Sequence, residues 1–399
     1  MRITKRAAAI SPSLTLEITA KAKKLKQQGV SVVSFGAGEP DFNTPAPIID
    51  AAKRAMDAGY TKYTPASGSE ELKKAVCDKL LKENGLSYEP SQIIVSCGAK
   101  HSLYNAMQAL IEEGDEVILP SPFWLTYPEL VRLCGGEVVF VETKAENAFK
   151  MTAQDFENAI TPSTKALILN SPNNPTGAVY TKEELFAIAD VAVKHGIFVI
   201  SDEIYEKLVY EGAEHVSIAT HSEEMKDLTV VINGMSKAFA MTGWRIGYLA
   251  APKDVAKAIS GIQSHETSNP CSIAQAASVV ALAEDDGSLA TMQQAFAERR
   301  KFAVARIQEM QNVTCVVPEG AFYIMVNVSA CYGKKFGETE ITGSVSFASA
   351  LLNRGVAVIP GAAFGADDYV RLSYAISKEE IAEGLNRLES FIKEVINNG

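Results

Sequence analysis

The residue in this chain best suited to chemistry is Lys237, in the turn-like run Asn233-Gly234-Met235-Ser236-Lys237-Ala238-Phe239 that follows the apolar stretch Thr229 to Ile232. A lysine flanked by apolar residues either snorkels to water or is held dry. Held dry, its amine titrates low enough to serve as nucleophile and base, as Schiff-base chemistry demands. Three more polar clusters follow apolar runs in the same way. Cys97-Gly98-Ala99-Lys100 comes after Ile93 to Ser96. Its small residues leave backbone N–H groups free where a helix begins, which suits a phosphate, although alone such a tetrapeptide more often marks a plain strand-to-helix turn. Asn170-Ser171-Pro172-Asn173-Asn174-Pro175-Thr176-Gly177 follows Ala166 to Leu169, and its prolines fix the pose of Asn174. Ser201-Asp202-Glu203-Ile204-Tyr205 follows Ile197 to Ile200. An acid at the end of a buried strand is costly unless a cation or donors face it, and a helix N-cap by Ser201 or Asp202 is the alternative.

Those clusters need a scaffold. Short apolar strands are expected at Ile93 to Ser96, Glu116 to Leu119, Val138 to Val141, Ala166 to Leu169, Phe198 to Ile200 and Thr229 to Ile232, with helices between them, among them Glu70 to Asn84 and His101 to Ile111. Strands of this kind separated by helices predict an α/β domain with a mainly parallel sheet covered on both faces. Ligands bind beyond the carboxyl ends of such strands, where all four clusters fall. Further on, a helical pattern covers residues 285–312. Strands are expected at Thr314 to Val317, Phe322 to Val328, Val356 to Ile359 and Tyr369 to Tyr374, and helices at Val345 to Asn353 and Lys378 to Val395. With an N-terminal helix from Leu14 to Gln28, these form a smaller α+β domain. Alternation turns Arg371 away from Val370 and Leu372; on an edge strand it would be an ordinary surface arginine.

Composition narrows the partners. The chain has 38 Lys+Arg against 48 Asp+Glu, a formal charge of -10, which argues against nucleic acid. No apolar run is long enough to cross a bilayer, and no His-Glu-x-x-His or Cys-x-x-Cys spacing points to a metal. The cytoplasm is the expected compartment.

Together the four clusters resemble the aspartate aminotransferase family, class I of the pyridoxal-phosphate transaminases with fold type I, and the bacterial-type subgroup in particular. The resemblance runs from Ser34-Phe35-Gly36-Ala37-Gly38-Glu39-Pro40-Asp41-Phe42 to Val370-Arg371-Leu372-Ser373-Tyr374. Ser236-Lys237-Ala238-Phe239-Ala240-Met241-Thr242-Gly243-Trp244-Arg245-Ile246-Gly247 is similar to the family's cofactor-lysine signature. It implies a large domain over residues 46–290, with a seven-stranded, mainly parallel sheet between helices. Residues 1–45 and 291–399 would form the small domain. It also implies roles. Lys237 would hold pyridoxal phosphate as a Schiff base and shuttle the substrate proton. Asp202 would pair with the ring nitrogen and keep it protonated. Tyr205 and Asn174 would bond the ring's phenolic oxygen, and Trp124, otherwise an ordinary core aromatic, would stack on the ring. Gly98, Ala99 and Lys100 would hold the phosphate with Ser236 and Arg245. Tyr63 would reach that phosphate from a neighbouring subunit, which implies a homodimer with shared active sites.

For the substrates, an amino acid and a 2-oxo acid, the resemblance assigns the α-carboxylate to Arg371, helped by Asn174 and the backbone at Gly38. A second carboxylate falls to Lys100 with Ser13 and Thr15. Aspartate and 2-oxoglutarate are therefore expected in a ping-pong cycle. Two alternatives stand beside this: an aromatic, neutral or prephenate aminotransferase on the same scaffold, and a cofactor-binding regulator without turnover. Ser11 stands where relatives acting on prephenate carry a basic residue, which weighs against that activity, and no basic DNA-binding module precedes residue 30. His265 and Glu266 receive no role.

Overall fold

In the computed structural model, which describes residues 3–8, 10–11, 14–284 and 286–398, seven strands form one sheet. From edge to edge they are Ile93–Ser96, Gly247–Ala250, Thr229–Gly234, Phe198–Asp202, Thr164–Asn170, Glu116–Ser121 and Glu137–Glu142. Neighbours run parallel except around Gly247–Ala250, which is antiparallel to both strands beside it. The mainly parallel seven-stranded sheet is as expected, with one strand that the apolar runs do not reveal. Gly247-Tyr248-Leu249-Ala250 is short and begins on glycine, so it lacks the β-branched signature of its neighbours.

Burial explains why the strands read as continuous apolar runs. Val117 and Ile168 pack with Leu103 and Met107 on one face, while Ile118 and Leu167 pack with Leu185 and Ile188 on the other. Alternate residues of each strand thus serve opposite cores, as the pleat requires. Each such side chain, fully removed from water, contributes about 1.5–3 kcal/mol. Local signals start and stop the covering helices. Thr181 and Glu184 form a capping box ahead of Lys182–His195, and Gly196, at φ 66°, ends that helix in the left-handed region glycine favours.

A four-stranded antiparallel sheet, in the order Ile359–Pro360, Tyr369–Ser373, Tyr323–Asn327, Thr314–Cys315, forms the smaller α+β part. Helices Ser288–Gln308 and Lys378–Asn398 cover it, burying Phe296, Ile307, Leu385 and Phe391 with Phe322 and Val326. The boundary expected at residue 290/291 falls in the first turn of Ser288–Gln308. Val33–Ser34 pairs in parallel with Val356–Ala357, so both ends of the chain build this part. Ile204, Tyr205 and Leu208 join the same core, which brings it against the carboxyl edge of the large sheet. Among the described residues, no helix is long and apolar enough to cross a membrane.

Candidate active site

Lys237 lies three residues beyond the strand Thr229–Gly234, half-buried, and its ammonium donates to the Gly38 carbonyl at 2.6 Å. Burial pushes the amine down to about 8; Glu39 opposes that fall, while Arg371 and Arg245 add to it. The ring centroids of Tyr205 and Phe322 are each 5.8 Å from its nitrogen. An amine lowered in this way is what Schiff-base chemistry requires of a lysine.

Asp202 ends the strand Phe198–Asp202 and is 3% exposed. Burial raises its carboxyl to about 6, against the opposing pull of two donors. These are the Tyr127 hydroxyl, 2.7 Å from Oδ2, and the Ile204 amide, 3.2 Å from Oδ1. The residues after Asp202 form turns rather than a helix, so the N-cap alternative fails. Asn170 ties neighbouring segments together: its amide donates to the Asp202 carbonyl at 2.9 Å and accepts from the Asn174 amide at 2.8 Å.

The turn at 97–100 is built around a close approach. Gly98 has φ 90°, and a Cβ there would sit 2.2 Å from Arg245 Nη2. A Cβ on Gly247 would sit 2.1 Å from the Ala99 nitrogen. The following helix spans Ala99–Leu110, beginning two residues before the expected His101, and no side chain caps it. Ala99 and Lys100 therefore lie in its first turn, whose N–H groups have no partner within the helix and favour an anion. Arg245 donates from Nη1 to the Thr242 carbonyl at 2.8 Å and from Nη2 to the Cys97 carbonyl at 3.4 Å, and stands over this helix start. Buried Ser236 lines the same cavity. This donor set fits a phosphate.

Arg371 corrects the surface reading. Its strand lies between two others, and the residue is 2% exposed. Nη1 donates to Asn174 Oδ1 at 2.9 Å, and the guanidinium carbon lies 4.3 Å from the Tyr323 ring centroid. Nε and Nη2 are buried without a hydrogen-bond partner. Those two donors form one edge of the guanidinium, the edge that grips a carboxylate with both oxygens. A buried cation left so is costly until an anion arrives.

These groups share one cavity of about 440 Å³. Lys100 lines it, its ammonium 4.9 Å above the Trp124 ring, with its pKa lowered by burial and by Arg245. Thr15 lines it as well, and its hydroxyl oxygen is buried without a partner. Gly98 stands behind Arg245 rather than on the wall. Tyr63 does not line the cavity and is 91% exposed; Ser13 lies outside the described residues. Glu266, given no role from sequence, pairs with His101 at 3.0 Å, and His101 in turn accepts from the Cys97 amide at 3.2 Å, bracing the 97–100 turn. The structure adds Tyr127, Asn170, Tyr323 and Glu39, none of which sequence reasoning singled out. Glu39 accepts from the Thr242 hydroxyl at 2.6 Å, next to the lysine loop. Its place between Gly38 and Pro40 was a usable signal; Tyr127 and Tyr323 carried none.

The family model for aminotransferase class I and II matches residues 30–388. The chain is 49% identical over 394 residues to an aspartate aminotransferase of Geobacillus stearothermophilus, covering 98% of this chain and 99% of that one. Among solved structures, an aspartate aminotransferase of Rhizobium meliloti superimposes with a TM-score of 0.95 at 41% identity, over 98% of this chain and 99% of that one. The Thermus thermophilus aspartate aminotransferase with maleate gives 0.93 at 44% identity, over 98% and 100%. Since the family match runs through both sheets, the chain belongs to the class I and II aminotransferases, pyridoxal-phosphate-dependent transaminases of fold type I.

Proposed function

We propose that this enzyme transfers the amino group of L-aspartate to 2-oxoglutarate, giving oxaloacetate and L-glutamate by a ping-pong cycle. The observation that carries this reading is the unpaired edge of Arg371 in one cavity with the ammonium of Lys100. Two cations facing one cavity suit a substrate with two carboxylates. Maleate, present in the Thermus structure, is such a dicarboxylate.

Bound pyridoxal phosphate supplies an electron sink for the charge left at the substrate Cα. The chain's own residues do the rest. Arg371 takes the α-carboxylate, with Asn174 fixing its other side at 2.9 Å and the Gly38 backbone nearby. Lys100, with Thr15 and Ser13, takes the distal carboxylate. Lys237, with an amine that titrates near 8, holds the cofactor and moves the proton at Cα. Asp202 would face the ring nitrogen, Tyr205 and Asn174 the phenolic oxygen, and Trp124 the ring face. Gly98, Ala99, Lys100, Ser236 and Arg245 would hold the phosphate. Tyr63, so exposed on one chain, completes the cradle of a second copy in a homodimer. Residues 46–290 serve as the cofactor-binding domain, with 1–45 and 291–399 as the small domain, and the cytoplasm as the compartment.

Turnover of aspartate, phenylalanine and prephenate, in wild type and Lys100→Ala, tests the substrate. The variant is expected to lose about 100-fold in kcat/KM for aspartate, as for a truncated buried charge contact, and only a few-fold for phenylalanine. A wild-type preference for phenylalanine would overturn the reading of Lys100. Mixing Tyr63→Ala with Lys237→Ala subunits tests the shared site: activity above that of either variant is expected, because one site of each hybrid dimer is intact.

A further inference from the structure

Tyr127 contacts two parts of the site at once. It sits in the first turn of the helix Thr126–Leu133 and is 1% exposed. Its hydroxyl donates to Asp202 Oδ2 at 2.7 Å, and its ring meets Trp124 edge-on, with centroids 5.3 Å apart and planes at 86°. We propose that Tyr127 is a positioning residue: it holds the Asp202 carboxylate charged and aimed at the cofactor's ring nitrogen, and buttresses Trp124 over the ring. The inference rests on the assignment of Asp202 to that nitrogen given above.

The case is one of opposing effects at a buried acid. Removal from water favours the protonated carboxyl, and Glu203 next to it works in the same direction; Tyr127, the Ile204 amide and Lys237 oppose them. Of the two hydrogen bonds, the hydroxyl's is the shorter, at 2.7 Å against 3.2 Å for the amide. A short O–H···O bond to a carboxylate is about twice as strong as a neutral one. The phenol does not compete for the charge, since burial and Asp202 itself hold its pKa well above the ordinary value. It donates and keeps its proton. Were Asp202 to take up a proton, the ring nitrogen would face a neutral partner and the electron sink would weaken. A buried tyrosine serving only to pack would need some partner for its hydroxyl. Here that partner is the one acid whose charge the reaction depends on, and the same ring contacts the stacking indole.

Tyr127→Phe keeps the ring and removes only the hydroxyl. Holoenzyme reconstituted with ¹⁵N-labelled cofactor gives the protonation state of the ring nitrogen directly by NMR. The expected result is a ring-nitrogen signal moved toward its unprotonated position. With it, kcat for aspartate falls about 10- to 100-fold, the loss of one hydrogen bond to a charged group, and KM stays within about twofold. A fluorinated tyrosine placed at 127, a more acidic phenol of nearly the same shape and so a stronger donor to Asp202, keeps the test open should Tyr127→Phe fail to fold; it should lower the pH at which the ring-nitrogen signal begins to move, and an unchanged pH profile would overturn the role. Asp202→Asn separates the two levels of the argument. If Asp202→Asn moves the nitrogen signal while Tyr127→Phe leaves signal and kcat at wild-type values, the role of Tyr127 is overturned and that of Asp202 stands. If Asp202→Asn does not move the signal, both fall.

Discussion

Two buried ionic clusters adjoin in the chain, one at Asp202 and one at Glu203 and Glu206, and they are made in opposite ways. Glu206 meets Lys79 directly and accepts from Asn84 and Asn233, each at 2.8 Å. Burial pushes its carboxyl up, but Lys79 and His215 outweigh that and hold it at about 2. Glu203 beside it takes the hydroxyls of Ser201 and Ser217 at 2.8 and 2.6 Å and the His215 ring at 3.1 Å. Asp202, one residue earlier, has its carboxyl raised to about 6, and its neighbours in space are a lysine lowered to about 8 and an arginine with one edge unpaired. The first cluster neutralises itself within the chain. The second leaves charge unmatched, which costs stability and is tolerated where a ligand supplies the missing partner.

That contrast can be broken from either side. The largest effect on folding is expected for Lys79→Met, which strands Glu206 in the interior: a loss of about 3–5 kcal/mol in urea unfolding, with KM for aspartate nearly unchanged. The Glu206 carboxyl binds its proton more weakly folded than unfolded. Its contribution to stability is therefore present above pH 4.5 and is lost as pH falls toward about 2, a change of about 3 kcal/mol that Glu206→Gln should not show. In the cavity the effects should fall on function instead. Arg371→Ala is expected to lower kcat/KM for aspartate about 100- to 1000-fold without lowering the unfolding midpoint of the cofactor-free chain.

A smaller and opposite effect is expected at Asp202. Its folded carboxyl binds the proton more tightly than the unfolded one, so ionising it between pH 3.8 and about 6 costs stability. Asp202→Asn should therefore stabilise the cofactor-free chain at neutral pH by up to about 3 kcal/mol, with the gain disappearing at low pH. At the bottom of the scale, Lys21 and Glu17 pair on the surface with side chains 57% and 51% exposed, and Lys21→Ala should change stability by less than about 1 kcal/mol.

Much of this was legible in the residues. Strands buried on both faces must read as apolar runs, so six of the seven could be located, and the polar clusters at their ends marked the cavity's rim. Gly247–Ala250 escaped because its pairing is non-local: it is fixed by strands on either side rather than by its own composition. Arg371 was visible only as a residue turned opposite to Val370 and Leu372, which left a surface position open; its burial on a central strand and the unpaired edge that gives it meaning exist only in three dimensions. Tyr127 and Asn170 escaped for a related reason. Each works by joining segments far apart in the chain, Tyr127 reaching Asp202 across 75 positions, and a buried tyrosine or strand-end asparagine has the same local appearance whatever its partner.

The central claim is that Lys237 is the amine on which the cofactor and the substrate proton both depend. Visible absorbance of the purified holoenzyme, with and without aspartate, tests it most directly when set beside Lys237→Ala. The expected result is a yellow wild-type enzyme that bleaches on adding aspartate, and a variant that does not turn over. A Lys237→Ala protein that still cycled aspartate to oxaloacetate at a comparable rate would contradict the account.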